Sequence, residues 1–219
     1  MGAFITLNSK VDDAAFSAFH VQPQGRRRGG VIVLQEIFGI DVGIRRDAQR
    51  WADAGFEALA PSLFDRQEPG YVAEHDDEGV ATGLKYAQAN GWDNPIDDIA
   101  TCLSYLLPRG PVFLVGYCYG GSLAWMAASR LGDLAAISSY YGSQVLAHAH
   151  DVPSVPVMLH FGAQDPVIPI GQVEDFQRAR PELPIYVYDA GHGFNNADGA
   201  AAHLARRRTL EFFEQNGAA

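Results

Sequence analysis

Cysteine is scarce in this chain, and positive charge is outnumbered. Only Cys102 and Cys118 occur among 219 residues, too few for a disulfide framework and without the Cys-x-x-Cys spacing that suits zinc or dithiol exchange. Long apolar runs are missing as well. No stretch approaches the ~20 residues that span a bilayer, and "MGAFITLNSK" has neither the charged start nor the apolar centre of a secretory leader. Lys and Arg number 16 against 26 Asp and Glu, a net charge of -10, which would repel a nucleic-acid backbone unless a basic face were segregated. The two basic clusters, Arg26-Arg27-Arg28 and Arg206-Arg207-Arg208, are short, far apart in sequence, and read as solvated surface. These absences point to a cytoplasmic protein with no nucleic-acid and no membrane partner.

What is present is an ordinary globular mixture, 47% hydrophobic and 19% charged, with no Pro/Gly/Ser-rich linker or repeat. One domain over residues 1–219 is expected, as a monomer or weak homo-oligomer. Apolar periodicity alternates along it between two kinds of segment. Strand-like runs fall at 15–23, 29–36, 56–64, 111–117, 135–142, 155–162 and 184–190. Helix-like stretches fall at 42–55, 72–90, 95–107, 119–131, 169–180 and 198–215. Strands interleaved with helices of this length imply a mostly parallel sheet covered on both faces, an α/β fold.

Sites in such sheets form where strand ends run into helices. Four segments occupy that position: "QEIFGID", "GYCYGG", "GAQDP" and "AGHGFNN". Gly116-Tyr117-Cys118-Tyr119-Gly120 has the spacing of the G-x-S-x-G nucleophile elbow with sulfur in place of oxygen. A strand that turns at once into a helix strains its central residue and leaves no room for side chains two positions away. The helix start would favour a thiolate at Cys118, and the N–H of Tyr119 is available to a developing oxyanion. The competing reading makes Cys118 a small buried apolar residue in a glycine-rich connection. Against that, the order nucleophile, acid, histidine expected of an α/β-hydrolase is supplied by Cys118, Asp165 and His192. Asp165 could equally be a turn or cap residue, and His192 an idle loop ring.

His20, His75, His160 and His203 lie away from strand-end loops. His148, His150 and Asp151 are neighbours in an Ala-rich loop with no distant fourth ligand, so no metal and no other cofactor is expected. Cys102 shares a helix face with Leu103, Leu106 and Leu107 and should be buried and inert.

Taken together, "QEIFG", "GYCYGG", "GAQDPVIP" and "AGHGF", in this order and at these separations, resemble the dienelactone hydrolase family of α/β-hydrolases over nearly the whole chain. The resemblance implies the α/β-hydrolase fold and a small ester or lactone as substrate. It implies Cys118 as nucleophile, His192 as base, Asp165 as its partner, the N–H groups of Ile37 and Tyr119 as oxyanion hole, and Glu36 as the acid that holds or accepts the thiol proton. Phe38, Tyr141, Phe194 and Asn196 are candidate substrate contacts. The chain departs from the family in one respect. Enzymes acting on dienelactones carry two arginines that grip the substrate carboxylate, one before the elbow and one after the histidine. Here the only Lys or Arg between Gln67 and Pro108 is Lys85, and His192 is followed by Gly193-Phe194-Asn195-Asn196. The alternatives are an esterase for neutral substrates and a non-catalytic thiol-sensing protein that keeps the fold.

Overall fold

The computed structural model describes residues 2–197 and 199–218. One sheet of eight strands runs through it, in the order β1-β2-β4-β3-β5-β6-β7-β8. The strands are β1 (Ala3–Asn8), β2 (Ala15–Val21), β3 (Gly29–Leu34), β4 (Phe56–Pro61), β5 (Val112–Tyr117), β6 (Ala136–Tyr140), β7 (Val157–Gly162) and β8 (Ile185–Tyr188). Only β2 runs against its neighbours; every other pairing is parallel. Every residue of β3, β4 and β5 is buried, as continuous apolar runs must be when helices cover both faces of a parallel sheet.

The helices are α1 (Val42–Asp53), α2 (Asp77–Asn90), α3 (Asp93–Leu106), α4 (Tyr119–Arg130), α5 (Ile170–Ala179) and α6 (Ala200–Gln215). In α1 the buried positions are Ile44, Asp47, Ala48, Trp51 and Ala52, a stripe of helical period facing the sheet. Asp41 caps the helix by accepting from the Ile44 N–H at 2.8 Å. The long helix expected over 72–90 begins later, at Asp77. The Asp76 side chain accepts the Gly79 N–H at 2.8 Å and fixes the start there. Residues before it lie instead against the β3 exit, with the Ala73 N–H donating to Phe38 O and Val72 bridging Gly39. The expected start of α6 near 198 falls at Asp198, outside the described residues.

Strand β1 is the element that periodicity did not disclose. It is an edge strand whose residues are all exposed or half-buried, and its alternation covers only Ile5-Thr6-Leu7-Asn8, at the short limit of a strand signal. Among the described residues no helix is long and apolar enough to cross a membrane.

Candidate active site

Strand β5 ends at Tyr117 and α4 starts at Tyr119, leaving Cys118 alone to make the turn. Its backbone sits at φ +50° and ψ -108°, a region that L-residues avoid and that costs about 1–3 kcal/mol. Close packing around the turn holds it there. A Cβ on Gly116 would lie 2.0 Å from Gly120 O, and one on Gly120 would lie 2.6 Å from both Gln35 O and Leu34 Cβ. Only hydrogen fits at these two positions. The Cys118 N–H donates to Tyr140 O at 3.0 Å and the Gly120 N–H to Gln35 O at 3.1 Å, tying the elbow to the ends of β6 and β3.

The sulfur meets the histidine. His192 Nε2 lies 3.2 Å from Cys118 Sγ, and Nδ1 of the same ring lies 2.7 Å from Asp165 Oδ2. The other Asp165 oxygen accepts the N–H groups of Val167 and Ile168 at 2.8 and 3.1 Å. This explains the segment "DPVI": the acid caps its own loop with one oxygen and orients the ring with the other. The Asp165 side chain is completely buried, whereas that of His192 keeps about a fifth of its surface open. Three loops separated by up to 74 residues therefore converge at the carboxyl end of the sheet.

The acid beside the thiol is Glu36, at the exit of β3. Burial pushes its carboxyl above the usual range, against opposing pulls from Asn196, His75 and His192. Its Oε2 accepts the Asn196 Nδ2–H at 2.8 Å. The implied pairing of Glu36 with the thiol proton is thus not the arrangement adopted here: the sulfur faces His192 and the carboxyl faces Asn196. Nor does Cys118 gain the thiolate character that a helix start would lend it. Burial first, then the Glu36 charge, push its thiol up to about 12, outweighing the Tyr119 N–H that bonds the sulfur.

A cavity of about 600 Å³ opens onto Cys118, His192, Glu36, Ile37, Phe38 and Tyr119. Of the four expected substrate contacts, Phe38 alone lines it. Tyr141 and Phe194 are buried behind the histidine. Tyr141 sets its ring edge-on to His192 at 5.1 Å between centroids, and Phe194 packs on Tyr141 at 5.2 Å. Asn196 is turned onto Glu36 rather than into the cavity. Its neighbour Asn195 donates to Asp47 Oδ2 at 2.5 Å, which pins the histidine loop to α1. Aromatic residues near a catalytic loop are as useful for bracing it as for binding substrate, and sequence position does not separate the two roles.

Several lining residues had no motif to reveal them: Val80, Leu84, Ala87 and Gln88 of α2, Trp92 after it, and Ser143 and Gln144 beyond β6. His75, set aside in the sequence, stacks on the lining residue Phe38 at 3.8 Å and bonds Asp41 Oδ2 at 2.7 Å. The other histidines lie elsewhere. His160 is fully buried, with its pKa lowered to about 3 by burial, and His20 pairs with Glu57. His148, His150 and Asp151 cluster with their ligand atoms within 4.8 Å of one another, and no further His, Cys, Asp or Glu joins them among the described residues. Cys102 is completely buried on α3, and burial raises its thiol well above the ordinary value.

This geometry has relatives. The family profile described as "Dienelactone hydrolase family" matches residues 16–217. The chain belongs to the dienelactone hydrolase family. It is 30% identical to the carboxymethylenebutenolidase of Pseudomonas putida over 217 residues, 92% of each chain. It is 31% identical to carboxymethylenebutenolidase 1 of Cupriavidus pinatubonensis over 90% of each chain. A crystal structure from Klebsiella pneumoniae, of a candidate dienelactone hydrolase, superposes with a TM-score of 0.83 at 27% identity, covering 98% of this chain and 99% of the other. As a member of this family the chain is a carboxylic ester hydrolase of α/β-hydrolase fold. Its substrate is a small molecule.

Proposed function

We propose that the chain hydrolyses small uncharged esters or lactones through Cys118, with His192 as general base and Asp165 as the group that orients it. The observation that carries this reading is the continuous relay from Sγ through the imidazole to a buried carboxylate, at 3.2 and 2.7 Å. Because the thiol is protonated at rest, His192 Nε2 takes its proton as sulfur attacks the carbonyl carbon. Asp165, accepting the Nδ1–H, keeps the opposite nitrogen free for that transfer and steadies the imidazolium that results. The N–H groups of Ile37 and Tyr119 hold the oxyanion. The imidazolium then gives its proton to the leaving alcohol oxygen as the C–O bond breaks, which leaves an acyl thioester on Cys118. Water deprotonated by the same nitrogen attacks the thioester, releasing the acid and returning the proton to sulfur. No cofactor enters these steps.

Glu36 acts on this cycle through charge. Its carboxylate disfavours a thiolate before substrate arrives, so the nucleophile forms where the oxyanion hole is filled. The absence of Lys and Arg from the lining among the described residues supports neutral substrates over the anionic lactones that family arginines would grip. Two unpaired cysteines support a reducing, cytoplasmic setting.

The test is turnover of an activated aryl ester by the wild type and by Cys118→Ala and Cys102→Ala. Loss of at least about a thousandfold in the first variant only is expected. Full turnover by Cys118→Ala would overturn the assignment. Stoichiometric acylation of the wild type with no turnover would favour a thiol-sensing protein instead.

A further inference from the structure

Helix α2 carries an apolar stripe for which internal packing gives no reason. Val80, Leu84 and Ala87 follow at i, i+4 and i+7, one face of a helix, and all three line the cavity. Yet Leu84 is 57% exposed and Val80 38%, so folding gains little from either. The buried positions of the helix are two glycines and Asn90 at its end. Gly79 and Gly83 are buried, and a Cβ on Gly83 would lie 2.2 Å from Ile37 O. The helix backbone therefore rides directly on the segment that bears the proposed oxyanion hole, and it presents the stripe to the space beside that hole.

The far end of the stripe is aromatic. Gly91 ends α2 at φ +65°, and Trp92 then stacks on Tyr119, the residue after the nucleophile, at 5.9 Å and 30°. Of the polar groups in the lining, Gln88 closes the stripe on α2 beside Trp92, while Gln144, Ser122, Ser143 and Glu36 come from other segments.

Chemistry sets the direction in which a bound ester must lie. Its leaving oxygen has to reach His192 Nε2, which protonates it, and its carbonyl oxygen has to reach the Ile37 and Tyr119 N–H groups. The acyl chain is then directed away from His192 and Val167, toward α2 and Trp92. We infer that the α2 stripe is the binding site for an unbranched aliphatic acyl chain, and that the substrates are esters of such acids with small leaving groups. Val80 to Ala87 rise about 10 Å along the helix, which matches an extended chain of roughly eight carbons. This inference rests on Cys118 being the nucleophile.

The experiment compares kcat/KM for p-nitrophenyl acetate, butanoate, hexanoate and octanoate in the wild type, Leu84→Gln and Cys118→Ala. In the wild type, kcat/KM rises by about fourfold for each methylene added from acetate to hexanoate. Leu84→Gln, a change at an exposed position that folding tolerates, lowers the hexanoate-to-acetate ratio by about tenfold. A flat or falling wild-type profile, or a ratio unchanged in Leu84→Gln, overturns the acyl site. A second series, acetate esters of alcohols of increasing length, fixes the side: dependence there and not in the acyl series would assign the stripe to the leaving group and overturn the inference. Turnover that persists in Cys118→Ala marks a different failure, that of the nucleophile itself. A flat profile that Cys118→Ala abolishes leaves the nucleophile standing and removes only the acyl site.

Discussion

Asn196 donates its side-chain N–H to Glu36 across 2.8 Å. The acid that borders the sulfur is therefore held by a neutral amide, four residues beyond the histidine. That acid also helps to push the Cys118 thiol up.

The substrate consequence is direct. With no Lys or Arg in the cavity lining among the described residues, a carboxylate-bearing lactone would enter without a counter-charge and meet Glu36 instead. Paired lactones that differ only in that carboxylate should show kcat/KM at least about tenfold higher for the neutral member. Equal rates, or preference for the acid, would contradict neutral selectivity.

The resting state can be titrated. The Cys118 thiol, pushed up to about 12 by burial and by Glu36, should alkylate slowly with iodoacetamide at neutral pH and faster as pH climbs. Glu36→Gln removes the nearby charge, so the thiol pKa should fall and the rate at fixed pH rise, about tenfold for every unit of the fall. A rate that plateaus in the wild type below about pH 8 would refute the elevated pKa. Stability follows the same sign. A thiol ordinarily at 9.0 ionises in the unfolded chain first, so its contribution is intact below pH 9.0 and is lost as pH rises through about 12. Chemical denaturation at successive alkaline pH values, comparing wild type with Cys118→Ala, measures it.

Asp165→Asn should keep the loop and lose the chemistry. The amide oxygen can still accept from Val167 and Ile168, but an N–H then faces His192 Nδ1. The ring must take the tautomer with its proton on Nε2, which cannot receive the thiol proton. A fall in kcat of roughly a thousandfold or more is expected, with a thermal midpoint close to that of the wild type. A kcat within about tenfold of the wild type would sink the orienting role.

The elbow has a stability signature. Gly116→Ala drives a methyl into Gly120 O and should cost about 2–3 kcal/mol, a drop of roughly 5–10 °C in Tm. Gly171 of α5 has open space around its missing Cβ. Gly171→Ala should leave Tm unchanged or raise it slightly. Equal Tm values for the two variants would remove the steric account of the turn.

Much of this was legible in sequence for physical reasons. A parallel sheet demands continuous apolar strands, so β3, β5 and β7 stand out with their exits, and chemically capable residues at those exits are few. Cys118 and Asp165 could be singled out because each follows such a run, and His192 because it sits between two glycines just past the half-buried β8. Less legible were roles set by direction. Tyr141 and Phe194 occupy the right loops but point inward, behind His192, and a one-dimensional pattern does not tell a wall from a brace. Val80 and Leu84 gave no sign of their place, since apolar residues at helical spacing resemble core even when they face an open cavity. The thiolate expectation failed on magnitude: a helix start contributes a fraction of a charge, and burial beside a carboxyl outweighs it.

The bare contact of Gly83 with Ile37 joins two parts that a longer side chain would have kept apart. A ligand that fits the α2 wall poorly would press the helix outward, and the peptide plane beneath it would tilt with it. Discrimination between good and poor ligands should thus be felt in how fast the covalent step proceeds, more than in how tightly each one is held.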